Sequence, residues 1–270
     1  MRRPSFTLIE LLTVITTIAL LMVILLPVLR RSRQEAEVVL CSSNIRQLLL
    51  GLLSYESEKQ TLPLGFSIEY DAKENPIAPD GNYPGFTPPD MQGWWWFNYI
   101  EGFYKKSDMK TTVVNCPSKR LSALKPKSSI LCSNYGVNHS ICKSSHVRIK
   151  GGDEFKGMPL RSSNIPRSNE TLLIVDSGYA LISWWHATDK PPVALGNYIE
   201  DVAYIPGLWI NKDRKLWPGM EIDAINGRHP KKTVNVGFAD GHVSLKKADD
   251  LFVEKTSDGY KNRSPLWVPK

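Results

Sequence analysis

Residues 6–29 read FTLIELLTVITTIALLMVILLPVL, and this stretch decides how the rest of the chain is organised. It is 24 residues long and contains a single charged side chain, Glu10. A helix of that length, at about 1.5 Å per residue, reaches across a hydrocarbon core of about 30 Å with some tilt. The stretch therefore predicts a membrane-spanning helix. Within it Glu10 requires a partner, because a charged side chain there costs about 2.5–3.5 kcal/mol.

A short basic leader, residues 1–5 (MRRPS), precedes the apolar stretch. A secretory signal peptide would place an apolar core of about 7–15 residues before an A-x-A-like site. This core is longer and runs into Pro27 and Arg30 without such a site. A plain signal anchor, neither cut nor assembled, is the other alternative, and Glu10 and the short leader count against it. Arginines flank the stretch on both sides, so the positive-inside rule alone does not orient it.

Residues 5–11 (SFTLIEL) resemble the cleavage and methylation signal of type IV prepilins and type II secretion pseudopilins. The resemblance implies that prepilin peptidase cuts between Ser5 and Phe6 and that Phe6 is then N-methylated. It also implies that Glu10 meets the terminal amine of a neighbouring subunit. An ammonium partner would remove the cost of burying Glu10, and only in the correct register. The family prefers Gly before the cut, and this chain has Ser5 there. A residue as small as Ser5 should still fit the peptidase site, and we expect slower processing.

The same resemblance implies a location and a set of partners. The apolar helix would cross the inner membrane once, with the head in the periplasm or outside the cell. The implied partners are prepilin peptidase, other pilin or pseudopilin subunits and the inner membrane itself. The net charge of +7 is spread along the chain without an arginine-rich block, so we expect no nucleic-acid partner.

The expected fold is α+β. Residues 30–60 continue the helix, since apolar side chains recur there at helical spacing: Ile45, Leu48, Leu49, Leu52 and Leu53. The whole chain is 42% hydrophobic, which is typical of a folded protein, and we expect residues 61–270 to form a globular head. We therefore expect a leader (1–5), a membrane helix (6–29) and its continuation (30–60), packed on a head (61–270) with an antiparallel sheet, in a pilin-like arrangement.

Two parts of the head carry clear strand patterns. Residues 171–175 (TLLIV) predict a buried strand, with residues 180–185 as its partner. Residues 234–246 predict a hairpin around Asp240-Gly241, a two-residue type I′ turn in which both residues need positive φ. Folding about that turn would put four apolar residues on one buried face, in two cross-strand pairs: Phe238 with Val243, and Val236 with Leu245.

Residues 228–229 (RH) and 235–243 (NVGFADGHV) resemble the carboxy-terminal signature of prepilin-type proteins in which a His, nine residues and Asp-Gly follow one another. Here His229 and the Asp240-Gly241 pair match, with ten residues between His229 and Asp240. The resemblance implies no particular chemistry. A metal site of His229, Asp240 and His242 is one hypothesis; a hydrogen-bonded histidine that holds the loop on the sheet is the preferred one.

Cofactor binding is not expected from the sequence. Some pseudopilins hold calcium through loop carboxylates, but no loop of this chain has the dense D-x-D-x-D spacing that favours calcium. Calcium stays the one alternative.

Four cysteines are present: Cys41, Cys116, Cys132 and Cys142. No C-x-x-C pair occurs, which argues against a zinc or thioredoxin-like motif. An even number in an exported domain allows disulfides in three connectivities. Cys41 with Cys116 would tie the helix to the head, and buried free thiols are the alternative.

Four motifs of known enzyme classes are absent from the sequence: G-x-S-x-G, H-E-x-x-H, the P-loop and the dinucleotide-binding fingerprint. We therefore expect a structural subunit rather than an enzyme. The alternative is a surface-displayed polysaccharide-binding protein that uses the same anchor and stacks sugars on residues 94–97 (WWWF). Against that reading, such a run of aromatics also packs well in a core.

Overall fold

The computed structural model of the protein describes residues 7–67, 94–100, 113–118, 134–145, 152–192, 202–210, 216–217 and 219–269. Ser5, Phe6 and Cys132 lie outside these residues. The described helices are α1 (Leu8–Lys59), α2 (Trp96–Tyr99) and α3 (Met220–Asn226). The described strands are β1 (Phe66–Ser67), β2 (Trp94–Trp95), β3 (Tyr135–Asn138), β4 (Leu172–Asp176), β5 (Leu181–Ile182), β6 (Thr233–Phe238), β7 (Val243–Lys247), β8 (Glu254–Thr256) and β9 (Gly259–Lys261).

A single helix of 52 residues, α1, runs through Pro27 without interruption. The Thr7 hydroxyl caps its first turn, and Gln60 ends it in the left-handed conformation with φ 61°. All residues from 7 to 33 are exposed. Further along, one face is buried, at the spacing of an amphipathic helix: Cys41, Ile45, Leu48, Leu49 and Leu52. The helix thus has an exposed apolar half and a half packed on the head.

The head is built on a five-stranded sheet with the order β5-β3-β4-β6-β7. All neighbours are antiparallel except β3 and β5, which are parallel. The sheet is therefore mixed: the α+β layout is confirmed, and the expected antiparallel pairing is present in three of the four strand pairs but not between β3 and β5. The expected partner of β4 was wrong: β5 pairs with β3, and residues 184–187 form a short 3₁₀ helix. The neighbours of β4 in the sheet are β3 and β6.

The hairpin of β6 and β7 exists, but its register differs from the prediction by one residue. Gly237 lies opposite Val243 and Asn235 opposite Leu245. The loop has three residues, because the amide of Phe238 donates to the carbonyl of His242 (2.9 Å). Of the loop residues only Gly241 has positive φ, at 97°. The Asp240 carboxylate accepts from the His242 amide (3.1 Å), an Asx-type contact that suits Asp without a left-handed backbone.

Because of this one-residue shift, Val243 and Leu245 share a face with Gly237 and Asn235 instead of with Phe238 and Val236. A Cβ built on Gly237 would lie 2.7 Å from Ile174 and 3.0 Å from Ile45 of α1. The face of Gly237 and Asn235, which the pattern assigned to solvent, is therefore the face that α1 covers. Val236 and Phe238, on the other face of β6, are buried as well. Glycine at position 237 allows the helix to approach the sheet closely.

The aromatic residues 94–97 belong to the core rather than to the surface. Each of them is at most 4% exposed. The Trp96 indole donates to the Ala180 carbonyl (2.9 Å), and the Trp95 ring packs on Phe66 and Tyr179 with centroids 4.6 and 5.5 Å away. These rings are not available as a sugar platform, and the core interpretation of the run is confirmed.

Candidate functional site

The first candidate site is the start of α1. The Glu10 carboxylate accepts from the Thr7 amide and from the Thr7 hydroxyl, both at 2.8 Å. In return the Thr7 hydroxyl accepts from the Glu10 amide at 3.3 Å, which completes a capping box. In the single chain Glu10 therefore already has a partner. The predicted contact with a neighbour's terminal amine involves Phe6, which lies outside the described residues.

By length and composition, α1 is long and apolar enough to cross a membrane. No residue of its most apolar 18-residue segment is buried against the head. It is the one helix with these properties in the part of the chain that the structure describes. A signal sequence or a core helix can have the same length and composition, so these properties show only that α1 could span a membrane.

The second candidate site is a polar cluster enclosed between α1 and the sheet. Cys41 comes from the buried face of α1, Cys116 from the turn at residues 115–118, Asp176 from the end of β4, and His229 from the segment before β6. Each side chain offers one ligand atom, and these atoms lie within 4.8 Å of one another. All four residues are buried. We call these four residues the buried cluster.

Asp176 is the centre of the hydrogen bonding in the buried cluster. Its Oδ2 accepts from the Asn235 amide (2.7 Å) and faces the His229 Nε2 (3.1 Å). Burial disfavours the charged forms of both Asp176 and His229, but the attraction and the hydrogen bond between the two groups favour them more strongly. The pKa of Asp176 therefore lies below its usual value and the pKa of His229 above it. A buried ion pair with hydrogen bonds to the backbone results.

Arg228 completes the charge balance beside the buried cluster. Its guanidinium donates to Asp223 (2.8 Å) and to the carbonyls of Asn134 (2.7 Å) and Ser177 (3.0 Å). Burial opposes its charge, yet Asp223 and Asp176 raise the pKa of Arg228 further. Arg228 and His229 thus face the carboxylates of Asp176 and of the partly buried Asp223, so that each cation has a carboxylate beside it.

The residues of the carboxy-terminal signature do not form one site. His229 precedes β6 and Asp240-Gly241 follow it, so the strand separates them. His229 bonds Asp176, whereas Asp240 bonds His242 at the exposed turn (2.7 Å). The predicted role of His229, a hydrogen-bonded histidine that holds a loop on the sheet, agrees with these contacts. The joint metal site of His229, Asp240 and His242 was wrong.

Of the three cysteines that the structure describes, two are in contact and the third, Cys142, lies elsewhere. The sulfurs of Cys41 and Cys116 are 2.7 Å apart. Cys142 is buried at a different place, where its amide donates to the Asn138 carbonyl (2.8 Å), and burial raises the pKa of its thiol. Burial likewise raises the pKa of the Cys116 thiol.

A cysteine, a histidine and an aspartate in contact also resemble the parts of a nucleophilic triad. Substrate has no access here, because every member is buried. The donor set of two thiols, an imidazole and a carboxylate is one that suits zinc, and it does not suit calcium, which takes oxygen ligands.

Comparison of the chain with protein-family models, with curated proteins and with solved structures gives no match.

Sequence reasoning named three members of the buried cluster, and it missed Asp176 together with Arg228 and Asn235 as its partners. The available signal was weak: an aspartate that ends an otherwise apolar run, TLLIVD, and an arginine beside His229. A charge at the end of a buried strand needs a partner, and that rule pointed to Asp176 without naming His229.

Proposed function

We propose that the protein is a structural subunit of the pilin or pseudopilin kind. In this proposal prepilin peptidase cuts between Ser5 and Phe6, and α1 then holds the chain in the inner membrane, with the head in the periplasm or outside the cell. The mature subunits join through α1 into a type IV pilus-like filament or a type II secretion pseudopilus.

The observation that carries the proposal is the division of α1 into two halves. Sixteen large apolar side chains between Leu8 and Leu29 are exposed. Leaving them in water would cost on the order of 20 kcal/mol, more than the about 5–15 kcal/mol that stabilises a domain. This half of the helix therefore needs a lipid or protein environment. The second half of α1 is packed on the head. A filament held together by the first half would therefore carry the head at a fixed position.

The charges on α1 support a boundary between the two environments. Arg31 pairs with Glu35 (3.3 Å) and Arg33 with Glu37 (3.2 Å). Exposed pairs of this kind add little stability. They lie between the apolar half and the first buried residue, Cys41, which is where a helix leaving a membrane would meet water and headgroups.

The alternative of a surface-displayed polysaccharide-binding protein has lost its expected platform, because residues 94–97 are buried. A plain signal anchor that carries the same head is the remaining competitor. It differs from the proposal in one measurable respect, the amino terminus of the mature chain.

Intact-mass and amino-terminal peptide analysis of the protein from its native membrane tests the proposal. We expect a terminus at N-methylated Phe6, because residues 5–11 resemble a prepilin signal. A terminus at Met1 would reduce the protein to an uncleaved anchor. A terminus beyond Leu29 would mean a secreted protein, and the proposal would be wrong.

A further inference from the structure

Two cysteines meet across the interface of α1 and the head. Cys41 and Cys116 are 75 positions apart in sequence, yet their sulfurs are 2.7 Å apart and both residues are buried. Such sulfurs are within reach of a covalent bond after a small side-chain adjustment. We propose that Cys41 and Cys116 form an intramolecular disulfide that joins α1 to the head.

Both partners are held in place by their own surroundings. The Cys116 amide donates to the Asn134 side chain (2.9 Å). One turn along α1 from Cys41, the Asn44 side chain donates to the Asn115 carbonyl (3.1 Å) and to the Tyr135 hydroxyl (3.2 Å). The helix and the turn are thus tied on both sides of the sulfurs.

A disulfide also fits the charges around the sulfurs better than free thiols or a metal. Burial raises the pKa of the Cys116 thiol, while the contact with Cys116 lowers the pKa of the Cys41 thiol. Asp176 repels a thiolate at either position, whereas a disulfide carries no charge. A metal needs Asp176 and His229 as ligands, but these two already bond each other (3.1 Å), and the Asn235 amide occupies Asp176 as well. The charges of Asp176 and His229 thus compensate each other without a metal, although Asp176 Oδ1 and His229 Nδ1 have no hydrogen-bond partner among the residues that the structure describes.

The bond forms by thiol–disulfide exchange. The Cys41 thiolate attacks an external disulfide, that of a thiol–disulfide oxidoreductase or of oxidised glutathione, and releases one thiolate. The Cys116 thiolate then attacks the Cys41 sulfur of the mixed disulfide and releases the second. The cysteines lose two electrons and two protons, which the external disulfide takes up as two thiols. Because both cysteines become buried, the exchange precedes the docking of α1 on the sheet.

The inference rests on the proposed function in one respect, because an exported head meets such oxidants. The test uses the full-length chain in detergent, either isolated without reductant or unfolded in urea and refolded in oxidised glutathione buffer, so that both thiols are exposed before α1 docks. Free thiols are alkylated under denaturing conditions, and the peptides are mapped by mass spectrometry. We expect the Cys41 peptide linked to the Cys116 peptide in both samples.

Three results would separate the two proposals. Alkylated Cys41 and Cys116 in both samples would overturn the disulfide and leave the pilin proposal intact. A link of either one to Cys132 or Cys142, or one equivalent of zinc per chain in elemental analysis, would overturn it too. A link that forms in the buffer but is missing in the isolated protein would support the bridge and count against an exported head.

Thermal unfolding with and without reductant gives a second readout that does not depend on mapping. Reductant should lower the Tm of the wild-type chain by about 5–15 °C, because it opens a long covalent loop. The double variant Cys41→Ser/Cys116→Ser should not respond to reductant. Cys142→Ser, a matched control at another buried cysteine, should respond like the wild type. A response lost in Cys142→Ser but kept in the double variant would contradict the assignment.

Discussion

At the scale of single residues, Glu10 has an observed role as a helix cap and a proposed role in assembly, and the two can be separated. As the fourth residue of a T-x-x-E capping box it satisfies the Thr7 amide, and a Gln in that place can do the same. As a carboxylate in an apolar helix it also carries a charge that only a cation can compensate. Capping depends on a hydrogen-bond acceptor, whereas the proposed contact with a neighbour's amine depends on charge.

The substitutions Glu10→Gln and Glu10→Leu therefore test the assembly role. We expect both variants to lose filament or pseudopilus assembly, although Glu10→Gln keeps the cap. Electron microscopy of sheared surface fractions, or cross-linking in the membrane, measures the outcome. Glu35→Gln, which removes an exposed charge beyond the apolar half, is the control and should assemble normally. Normal assembly of Glu10→Gln would show that Glu10 only caps the helix.

At the scale of elements, sequence periodicity anticipated α1 well because a helix is a local structure. Its hydrogen bonds join residues four apart, so spacing and stop signals within one segment suffice. The hairpin was anticipated in place but not in register. The choice between a two-residue and a three-residue loop depends on the Asp240 side chain, which bonds the His242 amide and stabilises the longer loop.

Substitutions of two adjacent leucines of α1, Leu49 and Leu50, test how strongly the helix packs on the sheet. Leu49 is fully buried and Leu50 is 58% exposed. Leu49→Ala should lower the free energy of unfolding by about 2–5 kcal/mol, since it leaves a cavity against the sheet. Leu50→Ala should lower it by less than about 1 kcal/mol, because the same change of helix propensity occurs there without a cavity.

Urea unfolding of the full-length chain in detergent, followed by tryptophan fluorescence, compares the two variants. Equal losses would mean that α1 does not pack on the sheet through the face of Leu49. A second outcome against the packing would be a large loss in Leu50→Ala alone.

At the scale of the whole molecule, two buried histidines give stability opposite dependences on pH. His139 stacks on Phe155 with centroids 4.9 Å apart, and burial lowers its pKa to about 3 from 6.5. Its contribution is complete above pH 6.5 and is lost as the pH falls below that value. The pKa of His229 is raised by Asp176, so its contribution is complete below pH 6.5 and is lost as the pH rises through the folded pKa.

We therefore expect the free energy of unfolding to decrease on both sides of about pH 6.5, the unfolded value for both histidines. Between pH 6.5 and 5 the His139 part of the loss should be about 2 kcal/mol. His139→Gln should remove that acid-side loss, and His229→Gln the alkaline-side loss, in urea unfolding at pH 5, 6.5 and 8. Each variant is the control for the other. Unchanged slopes in either variant would contradict its part of the account.

The sequence by itself determined the long apolar helix, the α+β class, the buried strand at residues 171–175 and the position of the hairpin. These features depend on residues near one another along the chain, and hydrophobic period and turn chemistry report them directly. The same kind of signal, residues 5–11, led to the proposed processing and assembly.

Only the tertiary structure decided which face of β6 the helix covers, that β5 runs parallel to β3, and that residues 94–97 are buried. It also brought Cys41 to Cys116 and Asp176 to His229, pairs separated by 75 and 53 positions. No local pattern encodes such pairs, because they form when distant segments pack and each buried charge takes the partner that packing provides. The cluster between α1 and the sheet is a product of that packing.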